Sequence, residues 1–478
     1  MEDEWQPGHD KVLCGHVPGN AGVAFNTGLF AARNRPATRA FLRAWFETLT
    51  DSGKEHHSDS EHRGIDDQLA LNLMFDPGLV SAIGPDEPRT ILVYNGSLRV
   101  QTLPVVLFSG GHVAFVQRTP WKLGVEPIAI HMTWQRWARA GKVARLREFG
   151  LWRMDPPAYY GAGPHNTSTA YLAEGGDDRL WLLTYQNDVE EFVERMARQR
   201  YEGGRMPLFY KHWLGMSYQL AAFREALVVA RLLRCTLVPP TLWCWCDYDE
   251  VPNSGILETC LINAGDYRSP FQCPLDFLLP IEVLDNLNIS YRPPGFLDLP
   301  QVPASIRNSR AVLNIVPSQP GDPLPEAVSM VGHGVTLWTS MPQFALDELA
   351  STVSQAAVLE LRGQLPGLVL DFLQDGDAAA FDKLFESVLA EAFWCCFTWG
   401  EHDEEYRQLQ YAAPPPYAVD GEEWKPWEPP VLEVPEWCDK VSTADGNNEF
   451  TRLPQHPCAF LRDPEAARIA AGDAQPAA

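Results

Sequence analysis

Leu103-Pro104-Val105-Val106-Leu107-Phe108-Ser109-Gly110-Gly111, then Phe115-Val116-Gln117, then Val125-Glu126-Pro127-Ile128-Ala129-Ile130-His131, make a β-rich run that ends on one histidine. Short apolar segments punctuated by Gly and Pro predict strands at Ile91 to Tyr94, Val105 to Phe108, Val113 to Gln117 and Ile128 to His131. Upstream, Phe41, Leu42, Trp45 and Leu49 recur at helical spacing behind Pro36, a residue suited to a first helical turn. A second helix is expected from about Asp66, carrying Leu69 and Leu73. Strands alternating with amphipathic helices give an α/β fold to the block 1–150.

The remainder divides by composition. Residues 151–204 hold Pro156-Pro157, Gly161 to Pro164 and Gly175-Gly176, and read as a connection with one internal helix over Val189 to Arg200. Residues 205–400 read as a second α/β domain. Leu220, Phe223, Leu227 and Ala230 mark one face of a long helix, Cys235 to Val238 form a strand stopped by Pro239-Pro240, and further helices fall near Phe344 to Leu361 and Ala378 to Ala392. Residues 401–478, with Pro414-Pro415-Pro416, Trp424-Lys425-Pro426-Trp427 and Pro429-Pro430, are too rich in proline for long regular elements. They are expected as an extended strap fading into a disordered tail.

The chain of 478 residues carries a formal charge of −24, which argues against a nucleic-acid groove or an anionic membrane surface, since both need clustered Lys and Arg. A basic acceptor would be attracted instead, and solubility alone explains the charge as well. No segment approaches the roughly 20 apolar residues of a membrane span, and Met1-Glu2-Asp3-Glu4 is acidic rather than a basic signal region. Ten cysteines, with Cys244, Cys246, Cys260 and Cys273 in one stretch, suit disulfides of an oxidising lumen better than a zinc site, whose spacings they do not match. Sequons at Asn95, Asn166 and Asn288 agree with a lumenal setting.

Asn26-Thr27-Gly28, Gly64-Ile65-Asp66-Asp67-Gln68 and the strand ending at His131 together resemble the nucleotide-diphospho-sugar transferases of plants and green algae. The match is closest to the branch that arabinosylates extensin, a hydroxyproline-rich glycoprotein. Tyr210-Lys211-His212-Trp213, the run Cys235 to Cys244, Cys273-Pro274-Leu275-Asp276 and Trp394-Cys395-Cys396 resemble that branch's C-terminal region in the same order. The resemblance implies a partial GT-A-like, Rossmann-like glycosyltransferase domain, a UDP-sugar donor, a hydroxyproline-rich acceptor, a divalent metal (usually Mn²⁺) and residence in the Golgi lumen.

Transfer from a nucleotide sugar leaves a negatively charged diphosphate, which a metal neutralises as a Lewis acid. The resemblance makes His131 the imidazole ligand, Asp67 and Gln68 the catalytic pair at a donor-facing helix start, and Asn26, Thr27, Gly28, Asp66 and Lys142 donor contacts. Each has a plainer structural role: a core histidine at a strand end, an N-cap for Asp66, a strand-edge turn for Asn26 to Gly28. Arg145 and Arg147 read as the solvated face of a basic helix, and His56, His57 and His62 as a polar loop. The family's Asp-x-Asp motif should precede Asn26, yet none of the first 25 residues forms it. Asp247-Tyr248-Asp249 stands elsewhere and reads as a solvated turn. An incomplete transferase domain is therefore expected. Its reading is either a glycosyltransferase moving a pentose from a UDP-sugar to hydroxyproline-linked arabinose, or a non-catalytic binding or scaffold protein of the same fold.

Overall fold

The computed structural model describes residues 2–3, 25–55, 67–77, 79, 90–133, 135, 137–161, 181–200, 206, 208–245, 270–316, 330–331, 334–338, 356–366, 375–392 and 411–414. Asp66, the 56–62 histidines, Asn166, Asp247 to Asp249, Cys246, Cys260, Trp394 to Cys396 and nearly all of the Pro/Trp-rich strap lie outside them. The chain is α/β throughout the described residues, which gather into two compact units that part after Gln135.

In the first unit, β1 (Glu2–Asp3) pairs antiparallel with β2 (Phe25–Asn26). The helices α1 (Pro36–Glu55) and α2 (Asp67–Phe75) follow. Next come the antiparallel pair β3 (Thr90–Val93) and β4 (Leu98–Gln101), and the parallel pair β5 (Phe108–Gly110) and β6 (Ala129–His131), with the short helix α3 (Thr119–Lys122) between the last two strands. Helix α1 begins at Pro36, and its Phe41 and Trp45 are buried, with Leu42 and Leu49 packed on the same core as Phe25, Phe75, Ile91 and Val93. In α2 the helix starts where expected, at Asp67, and carries Leu69 and Leu73. Those two leucines are 43% and 53% exposed, while Ala70, Leu71 and Phe75 are the residues buried in the core. Two predicted strands also change. Val105 to Leu107 make a turn in which Pro104 C=O accepts the N–H groups of Leu107 and Phe108, both at 2.9 Å, and the strand starts only at Phe108. Residues His112–Val116 form a π-helical turn closed by Gln117 N–H to His112 C=O at 3.0 Å. His112, Ala114, Phe115 and Val116 are all buried, and a short apolar run buried on every side carries no period to distinguish strand from helix.

The second unit opens with α4 (Ala138–Glu148), read from sequence as part of the first block. Its sheet has six strands in the order β12-β13-β11-β14-β7-β8: Met330–Val331, Gly334–Trp338, Arg310–Val316, Val358–Arg362, Leu182–Tyr185 and Thr236–Val238. All neighbours are parallel except β12 with β13. Strand β7 comes from the segment expected to be a connection, and residues 358–361, predicted as the end of a helix, form β14. Leu237, Leu183 and Leu359 lie in register across β8, β7 and β14, and Leu361 lies opposite Leu313 of β11, all at most 1% exposed. Such uniform burial is what a parallel sheet covered on both faces requires. The helices α5 (Val189–Arg200) and Asp375–Glu391 match their predicted spans closely.

The 25-residue α6 (Leu208–Leu232) is not a one-faced helix. From Tyr210 to Ala230 nearly every residue is buried, including Arg224 and Glu225, so Leu220, Phe223, Leu227 and Ala230 are only part of a helix buried around most of its girth. The antiparallel pair β9 (Leu242–Cys244) and β10 (Phe271–Cys273) packs beside it and is closed by a Cys244–Cys273 disulfide.

Candidate functional site

Besides its pairing with β1, strand β2 is tied to α2 by one side chain. Asn72, one helical turn past Gln68 in α2, accepts the Phe25 N–H at 2.7 Å through Oδ1, and donates through Nδ2 to Phe25 C=O at 2.9 Å and to Gln68 C=O at 2.8 Å. The Trp45 indole N–H donates to Asp67 C=O at 3.1 Å, which fixes the start of α2 against α1. These bonds carry the next three residues to the N-terminal end of α2. Thr27 Oγ1 donates to Asp67 Oδ2 at 2.9 Å, Thr27 N–H reaches Gln68 Oε1 at 3.4 Å, and Asn26 Oδ1 caps the Gly28 N–H at 2.7 Å.

His131 completes the group. A Cβ at Gly28 would overlap its imidazole ring, so only glycine leaves room for the histidine there. The ring stands at the end of β6, where His131 pairs with Gly110 of β5, and its backbone C=O accepts the Thr133 N–H at 2.7 Å. The fold thus gathers Asn26, Thr27, Gly28, Asp67, Gln68 and His131, from three separated stretches, within the first unit. Asn26 is buried, Gln68 and His131 are half-buried, and Gly28 and Asp67 are exposed. Asp67 sits in the first turn of α2, where its charge complements the helix dipole. The arrangement presents a carboxylate, an amide, a hydroxyl and an imidazole around a bare stretch of backbone, a set able to hold hydroxyl groups. Asn72 is the positioning residue that sequence reasoning missed. Its signal was a polar side chain four residues after Gln68, inside the apolar run of α2.

Lys142 is exposed on α4 of the second unit. Its neighbours are not a solvated face. The Arg145 and Asp276 side chains are both 0% exposed and form an ion pair of 2.8 Å between Nε and Oδ1. Arg147 makes a two-pronged pair with Asp155 at 2.8 and 2.6 Å. For Arg145 the reason is that α4 packs against the turn after Cys273-Pro274, which carries Asp276, whereas Arg147 meets a carboxylate from the chain just beyond its own helix.

The other blocks of the second unit serve its core. His212 Nδ1 accepts the Trp245 N–H at 3.3 Å, which leaves Nε2 to donate to Tyr411 Oη at 3.1 Å. Gly215 leaves room for the Trp245 ring on α6. Gln219 exchanges 3.0 Å bonds with both backbone groups of Trp243. Cys244 is consumed by its disulfide, which removes it from any zinc site, and burial pushes the free Cys235 thiol up to about 12. Among the described residues no group of three or more His, Cys, Asp or Glu is placed to hold a metal ion, and no helix is long and apolar enough to cross a membrane.

Residues 2–146 match the family model of nucleotide-diphospho-sugar transferases. Over 296 residues, 60% of its length, the chain is 28% identical to the arabinosyltransferase XEG113 of Arabidopsis thaliana, and it spans about 40% of that relative. No solved structure matches. The resemblance drawn from the Asn26, Asp67 and His131 blocks is borne out: the chain is similar to nucleotide-diphospho-sugar transferases over residues 2–146 and, over more than half its length, to a plant arabinosyltransferase.

Proposed function

We propose that this chain is part of a glycosyltransferase that moves a pentose, arabinofuranose, from a UDP-sugar to hydroxyproline-linked arabinose on a cell-wall glycoprotein in the Golgi lumen. The observation that carries the reading is the meeting of three sequence-distant blocks through the Thr27–Asp67 hydrogen bond and the Gly28–His131 packing. Breaking the anomeric C–O bond places positive character on the sugar and negative charge on the departing diphosphate. In this reading Asp67 and Gln68 accept and donate hydrogen bonds to sugar hydroxyls and hold the anomeric carbon in line with the acceptor, a gain in orientation. Thr27, fixed by Asp67, and Asn26 line the same wall, and Asp66 and Lys142 are assigned to the donor on the resemblance alone.

A divalent metal, Mn²⁺ by the resemblance, would supply the counter-charge for the diphosphate, with His131 as this chain's imidazole ligand. The described residues do not by themselves form a metal-holding set, so the reading draws its carboxylates from outside them. That same observation favours the second reading, a non-catalytic binding or scaffold protein. The two separate in a binding and transfer experiment with UDP-arabinofuranose, Mn²⁺ and an arabinosylated hydroxyproline peptide. The transferase reading expects weak but saturable UDP-arabinofuranose binding that His131→Ala and Asp67→Asn both reduce, with little turnover by the chain alone. Failure to bind any UDP-sugar, or binding indifferent to both substitutions, would overturn it. Robust Mn²⁺-dependent turnover would direct the search for carboxylates to Asp247 and Asp249.

A further inference from the structure

The second unit holds a cavity of about 420 Å³ between α4 and α7 (Ile281–Asn286), with Tyr291 beyond α7. This is within the range of small-molecule sites, about 300–1,000 Å³. Its wall includes Trp137, Arg139, Arg147, Glu282, Asp285 and Tyr291. Two guanidiniums, that of Arg147 paired with Asp155, and two carboxylates thus share the lining. A phosphate or a polycation would meet repulsion from one of these pairs, whereas a neutral polyhydroxylated molecule finds donors and acceptors together, since each hydroxyl both gives and accepts a hydrogen bond. The aromatic rings add flat apolar surface of the kind that sugar C–H faces cover.

The polar groups are held in place. Asp155 grips Arg147, whose guanidinium lies 4.9 Å from the Tyr159 ring centre, and Tyr291 Oη donates to Asp285 Oδ1 at 3.3 Å. Burial first, and Asp285 second, push the Tyr291 phenol up, which keeps it a neutral donor. The rim is strained as well. Trp137 and Ala138 both adopt left-handed backbone, with φ of 68° and 45°, and the Trp137 indole N–H is buried without a partner among the described residues. Consecutive non-glycine residues in this region cost free energy and persist where the surroundings enforce them, as they do at ligand sites.

From this wall we infer that the cavity between α4 and α7 binds a short neutral oligosaccharide, a carbohydrate site built from residues of the second unit. The inference does not depend on the transfer reading. It is tested by calorimetry and saturation-transfer NMR on the full chain with arabinotriose and maltotriose as probes and inorganic phosphate as the contrast. At least one trisaccharide should bind saturably and phosphate should not. Ala140→Trp, which fills the cavity from α4, should abolish that binding, and Glu282→Gln and Asp285→Asn should each weaken it about tenfold, the loss of one charge-assisted hydrogen bond. The carboxylate variants lie on an exposed rim, so they keep the test valid if Ala140→Trp fails to fold. The inference is overturned by absence of trisaccharide binding at millimolar concentration, by preferential phosphate binding, by binding that survives a folded Ala140→Trp, or by carboxylate variants that bind as wild type.

Discussion

The Asn26–Gly28 cluster of the first unit and the α6 belt of the second are built from the same kinds of side chain, and they differ in their access to water. Around α6, His212, Gln219, Arg224 and Glu225 are at most 3% exposed, and each is bonded to backbone or to a counter-charge. Around Gly28, the Thr27–Asp67 bond is exposed and the imidazole stands against bare backbone. A buried polar group must be satisfied by the protein itself, so its chemistry serves the architecture. A half-exposed group can exchange a water for a ligand. Both regions are rich in motif residues, and exposure is what separates the chemical candidates from the structural ones.

The comparison can be broken most forcefully at the Arg145–Asp276 pair. Asp276→Ala leaves a buried guanidinium without its carboxylate and should cost the second unit about 3–5 kcal/mol, measured by denaturant unfolding. Replacing both residues by apolar side chains should recover most of that loss. A cost near zero for the single variant would mean that the pair is not sealed from water.

The disulfide should come next. Cys244→Ala with Cys273→Ala opens a loop of 29-residue separation and should lower stability by about 3 kcal/mol, read as a shift in denaturant midpoint. Such a loss would mark the β9–β10 pair as architecture, in line with the rest of the belt.

In the first unit the ranking should invert, with binding lost and stability kept. Gly28→Ala forces the His131 ring aside, and Asp67→Asn removes the acceptor of the Thr27 hydroxyl. Each should weaken UDP-arabinofuranose binding about tenfold while moving the unfolding midpoint little, as surface changes do. A large drop in stability with unchanged binding would move this cluster into the structural class.

The smallest effect is a pH dependence. Burial pushes the Tyr159 phenol up to about 12, against the pull of Arg292 and Arg147, from an ordinary value of 10.0. The folded state therefore keeps a proton that the unfolded chain releases. Its contribution is whole below pH 10 and is lost as pH rises toward 12. Tyr159→Phe should flatten that part of the stability profile, and an unchanged slope would show that the phenol is solvated.

The extent to which sequence revealed the site is clearest at Gly28 and Asn72. Asn26, Thr27, Asp67, Gln68 and His131 were readable as candidates because the resemblance attaches to short quoted motifs. Asn72, which ties β2 to α2, belongs to no motif, and its role exists only once the strand lies beside the helix. Arg145 shows the converse: its spacing beside Lys142 and Arg147 reads as a basic surface, and only the approach of Asp276, 131 positions away, makes it a core residue.

Local patterning determined the elements whose period is strong. The helices at 36–55, 189–200 and 375–391 and the strands at 90–93 and 129–131 follow from side-chain spacing, because an amphipathic face or a short β-branched run is a property of the segment alone. Tertiary structure decided what local pattern cannot encode. It turned Val113 to Val116 into a helical turn, made β7 and β14 neighbours within one sheet, and buried α6 nearly all round. It also set the His131 imidazole on the Cα of Gly28. The physical reason is common to all of these: burial and pairing are relations between segments far apart in the chain, and a run of residues carries its own period but not the identity of the surface that will cover it.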